Sequence, residues 1–349
     1  MTSQPLPFSA PPQARSPARR HAGRVLLAAA AALSGCDTLA PWLWGRDERM
    51  GMDASLRARL DTWYAEGARA VARGDFDAAI PPWRRYVAEA PPGLPSARRL
   101  RGYLTLLHRE NARRLARAAA GSEQALSSAP PPNRLTVAVF PFQTVGPDRG
   151  KSAALQPFNR GLVAMITADL AQVPALTVLE RERIETLLRE LRLAESGLVD
   201  RSTLGRPAAL LGAGTVVTGT LLNEPGPGGQ GGLNAGRYKI NVAAFDMQES
   251  RVFATPEADG SQARFFVLQK QIVYALLQAL GITELPASVH RVHTRNWEAY
   301  RQFSNGLQLL AQDRFEEARA AFFAALREDG AFVLAAEALA DIPTEPLPS

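Results

Sequence analysis

One cysteine, Cys36, stands among 349 residues. No disulfide can close within the chain, and no cysteine cage for zinc can be built. Histidine is nearly as scarce, with His21, His108, His290 and His293 alone. His290 and His293 are three residues apart, but no acid between His290 and Trp297 offers a nearby third ligand, so the pair reads as part of a solvated interdomain segment and not as a metal site. Lysine occurs three times (Lys151, Lys239, Lys270), arginine supplying the rest of the 40 bases. Aromatic residues are 7% of the chain and are not interleaved with the bases, which argues against a base-stacking RNA surface. Nor does the net charge of +6 mark a nucleic-acid binder. Four arginines with no acid (Arg15, Arg19, Arg20, Arg24) lie in the first 35 residues, and without them the balance is +2. No apolar run reaches the roughly 20 residues that span a bilayer.

What is present begins with an address. Behind the arginines comes a short apolar stretch, Val25–Leu33, followed by Leu33-Ser34-Gly35-Cys36. A basic region, an apolar core and small residues before a cut site make an export signal. LSGC resembles the bacterial lipobox in all four places, so the sole cysteine stands where lipid would be attached. The alternative is an ordinary secretory signal that happens to contain a cysteine. The reading is therefore a signal peptide at 1–35, lipidation at Cys36 and a tether over 36–52. Asp37, next to the anchor, matches the enterobacterial sorting rule for inner-membrane retention.

Residues 53–117 read as a helical module. Trp63, Gly67, Gly74, Phe76, Ala79, Trp83 and Pro91 fall at the spacings of a tetratricopeptide repeat (TPR), two short antiparallel helices joined by a turn. Pro81-Pro82 depart from that pattern, being tolerable only near a helix start. A second such stretch covers 294–342, with Gly306, Phe315, Ala318, Phe322, Ala325 and Leu326 in register and Asn296 as a helix cap. Residues 118–133 lose periodicity and end in Ser-Ala-Pro-Pro-Pro-Asn, which reads as a linker. The end of the chain, from Pro343, reads as frayed. Too few repeats are present to bury their apolar faces alone. The modules must pack on the central domain, on each other or on another subunit.

Between them, residues 134–285 alternate strands and helices. Leu135–Phe142 and Thr215–Leu222 are apolar runs suited to strands buried on both faces. Phe158–Leu170, Glu180–Leu193 and Ala263–Leu280 carry helical stripes, and Ser202 or Thr203 can cap another helix. Arg237–Phe245 and Arg251–Thr255 read as a hairpin. The pattern predicts an α/β domain with a central mixed sheet, flanked by α-helical TPR-like hairpins.

The combination of VAVFPF, LTVLERERIETLLRE and SGLVDRSTLGRPAALLGAGTVVTGTL resembles the CsgG family of lipoproteins over about residues 134–282, a fold shared with FlgO-like flagellar lipoproteins and the amino-terminal part of TolB. The resemblance implies a place in the cell envelope and a role in curli- or flagellum-type assembly or secretion, without enzyme activity or cofactor. Partners would be the membrane through Cys36, other envelope proteins and a second copy of the chain, not nucleic acid. By family the outer membrane is favoured, while Asp37 points to the inner one. A channel subunit is the alternative, and an activator of a peptidoglycan-building enzyme a third. Against the channel, a spanning strand needs about 9–11 alternating residues. The insertion points here, Asn223–Gly236 and Pro256–Gln262, are Gly/Pro-rich or too short. Catalytic chemistry finds no support: Gly226-x-Gly228-Gly229 lacks the lysine and helix of a phosphate loop, and Glu180, Glu182 and Glu185 with their arginine partners read as a solvated helix face. Site residues are thus Cys36 and Asp37, with Trp63, Gly67, Phe76, Trp83, Gly306, Phe315 and Phe322 as the structural and binding positions of the helical modules.

Overall fold

β1 (Thr136–Val139) shows why the centre is layered. Val137 and Val139 enter one apolar cluster while Ala138 and the following Phe140 enter another, so the strand is buried on both faces. The structure, a computed structural model, describes residues 52–121, 133–144, 149–191, 201–225 and 236–347. Cys36, Asp37, the segment read as an export signal, the SGLVD segment and most of the stretch read as a linker lie outside these residues.

Among the described residues, seven strands form one mixed sheet. β1 pairs in parallel with β3 (Thr177–Val178) and with β4 (Thr215–Pro225). The strand expected over 135–142 is shorter, Thr136–Val139, and β2 (Gln143–Thr144), just past its expected end, continues along β4. β4 runs antiparallel to β5 (Gly236–Asp246) over its whole length. β6 (Arg251–Ala254) and β7 (Glu257–Ser261) share the far side of β5. β7 lies in a segment read only as a place for an insertion. It is short, with Glu257 and Asp259 exposed and Ala258 buried, and charged alternation of this kind suits an edge strand.

One sheet face is covered by α4 (Arg149–Ala171) and α7 (Phe265–Ala279), the other by α5 (Arg181–Glu190) and α6 (Arg201–Leu211). α4 runs through Pro157 instead of starting after it, because continuing the helix places Leu155 in the core. α6 begins at Arg201, so Ser202 and Thr203 fall within its first turn and do not precede it.

The N-terminal module comprises α1 (Ala54–Ala72), α2 (Phe76–Glu89) and α3 (Pro95–Gly121). α3 extends into the stretch read as linker. Its Ala112 and Ala116 join the core of the α5/α6 face, and this burial holds the helix beyond the loss of sequence periodicity. The C-terminal module comprises α8 (Trp297–Ala311), α9 (Phe315–Glu328) and α10 (Val333–Ala340). α8 lies along α4 and contributes Tyr300 to the main core. Beyond α10 the chain is not frayed: Ile342 is 1% exposed, Pro343 is buried, and Leu347 packs into the N-terminal module's cluster.

Candidate functional site

Each helical hairpin is built on a glycine facing an aromatic ring. A Cβ on Gly67 would overlap the Trp83 indole, and one on Gly306 would overlap the Phe322 ring. Both rings are fully buried. The glycines let the paired helices approach closely enough to seat them. Trp83 Nε1 donates to Tyr64 O at 3.2 Å, satisfying the one polar group of the indole. The flanking aromatics cover arginines: Arg114 lies 4.0 Å from the centroid of Phe76 and Arg109 5.7 Å from that of Phe315. Trp63 is half-buried against the N-terminal cluster. The expected positions thus separate into two groups, Trp63, Gly67, Phe76 and Trp83 in one module and Gly306, Phe315 and Phe322 in the other.

What joins the modules is α3. Arg109 pairs with Asp313 and donates to Leu310 O at 3.0 Å, satisfying a carbonyl at the end of α8. Arg101 Nη1 lies 3.4 Å from Asp341 Oδ1, and Thr105 Oγ1 donates to Asp341 O at 3.0 Å. The same helix packs along α5 of the central domain. Between the modules lies a groove of about 410 Å³, lined by Val87, Pro92 and Leu94 on one side and Val333, Ala336 and Ala340 on the other. Arg98, Arg101 and Glu337 supply its charged lining. Val333 is 49% exposed. Small apolar side chains with charge of both signs make a surface for a polypeptide, and none of these residues is a nucleophile paired with a base.

Two buried polar networks secure this arrangement. Asp169 on α4 is fully buried and holds Lys270 Nζ at 2.7 Å, Gln269 Nε2 at 2.8 Å and His293 Nε2 at 2.8 Å. Lys270 also donates to Val289 O at 2.8 Å. Burial opposes the charge on Asp169, but His293, Gln269 and Lys270 outweigh it and hold the carboxyl below the usual carboxylate range. This corrects the reading of the segment as solvated at His293, through which the network clasps the connection between α7 and α8, while His290 is exposed, its Nδ1 3.1 Å from the Tyr274 hydroxyl. The second network overturns the solvated face expected of α5. Glu185 pairs with Arg160 and with Arg181, whose Nη1 is 3.0 Å away. Arg160 Nε in turn donates to Gln308 Oε1 on α8 at 2.6 Å. Burial works against the charge of Glu185, but Arg160 and Arg181 prevail and hold it down at about 2.

The pairing of Asp169 with Lys270 escaped the sequence reading, and His293 was weighed only as a metal ligand, although a signal was there. Asp169 lies between Ile166 and Leu170 on the apolar stripe of α4, and Lys270 is one of three lysines, set in a helix otherwise apolar on that side. Charges placed on apolar faces of two helices invite the inference that they meet. Arg109 and Arg101 had no such mark, standing among many arginines. Among the described residues no group of His, Cys, Asp and Glu could hold a metal ion, and no helix is long and apolar enough to cross a membrane.

A mixed sheet covered by helices on both faces, with helical hairpins packed beside it, defines an α/β protein with helical additions. Residues 118–224 of the chain match the family model described as curli production assembly/transport component CsgG. The match ends within β4, leaving β5, β6, β7 and α7 beyond it. The chain is also similar to the LpoB C-terminal domain from Salmonella enterica, at 16% identity over 41% of this chain and 97% of that one, with a TM-score of 0.23. No curated protein matches the chain.

Proposed function

We propose that this protein is a periplasm-facing lipoprotein, anchored through Cys36, that acts as a non-enzymatic binding scaffold in assembly or secretion at the cell envelope. The observation that carries the reading is the match of residues 118–224 to the curli production assembly/transport family. The inter-module groove supports it, because a polypeptide partner would find there an apolar strip flanked by Arg98, Arg101 and Glu337. The anchor holds the protein to a membrane by acyl chains at about 0.8 kcal/mol per buried methylene, leaving the folded part free to recruit other envelope proteins or a second copy.

The test is crosslinking in cells followed by affinity recovery and mass spectrometry, on the native chain, on Cys36→Ala and on Val333→Asp with Ala336→Asp in the groove. Envelope proteins should be recovered with the native chain, lost with the groove variant and redistributed with Cys36→Ala. Recovery of the same partners from the groove variant would remove the groove from the reading. Conductance by the purified protein in planar bilayers would replace the scaffold by a channel.

A further inference from the structure

The face of the N-terminal module that carries Tyr64 and Tyr103 is not bare. After Ile342 the chain crosses α3 at Gly102, where a Cβ would stand 2.9 Å from Pro343 Cα and 3.3 Å from Ile342 O. Two residues on, Glu345 Oε1 lies 3.8 Å from Arg99 Nε. Two residues further, Leu347 packs against the cluster that contains Trp63, Tyr64, Trp83 and Tyr103. The floor is aromatic: the Tyr64 and Trp83 ring centroids are 6.4 Å apart, and those of Trp83 and Tyr103 5.6 Å. Pro343 is buried and Leu347 half-buried, while Thr344, Glu345 and Pro346 between them are exposed, Glu345 reaching back to Arg99. The Tyr103 hydroxyl is pushed up to about 12 by burial and by the Glu345 carboxylate, consistent with the tail's acid lying over that ring.

We infer that the Tyr64/Tyr103 face is a peptide-binding site whose resident occupant is this chain's own Pro343–Leu347, and that it takes in trans an extended peptide of the same chemistry: a small buried proline, an acid two residues on and an aliphatic side chain two residues beyond that. Each feature has its receiver. Gly102 gives the backbone room at the proline, Arg99 takes the acid, and the aromatic floor takes the aliphatic group. Two prolines in five residues stiffen the tail and lower the entropy lost on seating it. The fastening is nonetheless modest, with one buried proline, one exposed ion pair and one half-buried leucine, so an external peptide can compete. This site is separate from the inter-module groove and does not depend on the envelope reading.

The test uses a fluorescent peptide of residues 343–347 and anisotropy titrations on three proteins: the native full chain, the full chain with Leu347→Asp, and a chain ending at Ile342. A tethered tail competes at a millimolar effective concentration, so opening the site should tighten peptide binding by roughly tenfold or more. Arg99→Glu in the shortened chain should abolish binding, and a peptide with lysine in place of the acid should restore it. Absence of saturable binding to both opened proteins, each melting as the native chain does, overturns the proposal. Equal binding to native and opened proteins overturns it too, since the peptide is then elsewhere, and so does loss of fold in both opened proteins, since the tail is then a structural strut.

Discussion

The two helical modules share a plan and differ in their mounting. Each sets a glycine against a buried ring, Gly67 with Trp83 and Gly306 with Phe322, and each opens on a side-chain cap. Asp53 accepts from Ser55 N at 2.9 Å and Leu56 N at 3.0 Å, and Asn296 from Glu298 N at 2.9 Å and Ala299 N at 3.1 Å. The C-terminal module is welded to the centre. Trp297 stacks on Phe158 with centroids 5.3 Å apart, Tyr300 donates to Phe158 O at 2.6 Å, and Tyr238, Phe265 and Phe266 close around them. The N-terminal hairpin α1–α2 has its own core and reaches the centre through α3 and through partly exposed charges: Arg84 pairs with Glu180, and Arg113 Nε lies 3.6 Å from Glu190 Oε1. Equal local architecture with unequal coupling makes the C-terminal module part of the domain and leaves the α1–α2 hairpin an appendage carried on α3.

The sharpest contrast lies between a buried and an exposed ion pair. Lys270→Ala leaves the Asp169 charge without its main partner in the seam beneath the C-terminal module, and should cost about 3–5 kcal/mol in denaturant unfolding. Arg84→Ala, removing a half-exposed partner of Glu180 at the other mount, should cost about 0.5 kcal/mol. Similar costs would abolish the distinction between weld and appendage. Gly67→Ala and Gly306→Ala should each cost about 2–3 kcal/mol by overpacking, but with different reach. Hydrogen exchange should rise only in α1 and α2 for the first, and across α8, α4 and the sheet for the second.

Acid should separate the modules next. Burial, with Arg84 and Arg183 nearby, depresses His108 on α3 to about 3. The unfolded chain takes up this proton near pH 6.5 while the folded one does not, so stability is full above that pH and declines as pH falls towards 3. The loss is on the order of 1 kcal/mol by pH 5.5. Glu185 is depressed to about 2, so its contribution persists to near pH 4 and is lost only as pH falls further. Amide exchange at pH 7.5 and 5.5 should therefore show the N-terminal module loosening first, and His108→Gln should remove the effect. The smallest expected difference is between the caps: Asp53→Ala and Asn296→Ala should each cost about 1 kcal/mol, the former confined to fraying of α1, the latter shifting the global melt.

How much of this was legible follows from which forces leave a periodic trace. The strands, the helices of the centre and the glycine–aromatic spacing of both modules show in residue order because side-chain burial repeats at 2 or 3.6 residues. β2 and β7 are too short to show a period. The extension of α3 past Arg117 depends on Ala112 and Ala116 meeting the central core, a tertiary effect absent from local pattern. The tail read as frayed because Pro and Ser at a chain end carry that meaning on average, whereas its order comes from Arg99, Gly102 and Tyr103, some 240 positions earlier. The α5 face read as solvated because Arg181 and Glu185 look alike on paper whether water or Arg160 completes them.

Met52 and the tail's Leu347 both pack against the cluster of the N-terminal module. Mechanically this makes a latch. A pull delivered at Met52 would load that cluster, against which Leu347 rests beside the exposed Arg99–Glu345 pair. Force, and not concentration alone, can then decide whether Pro343–Leu347 stays seated.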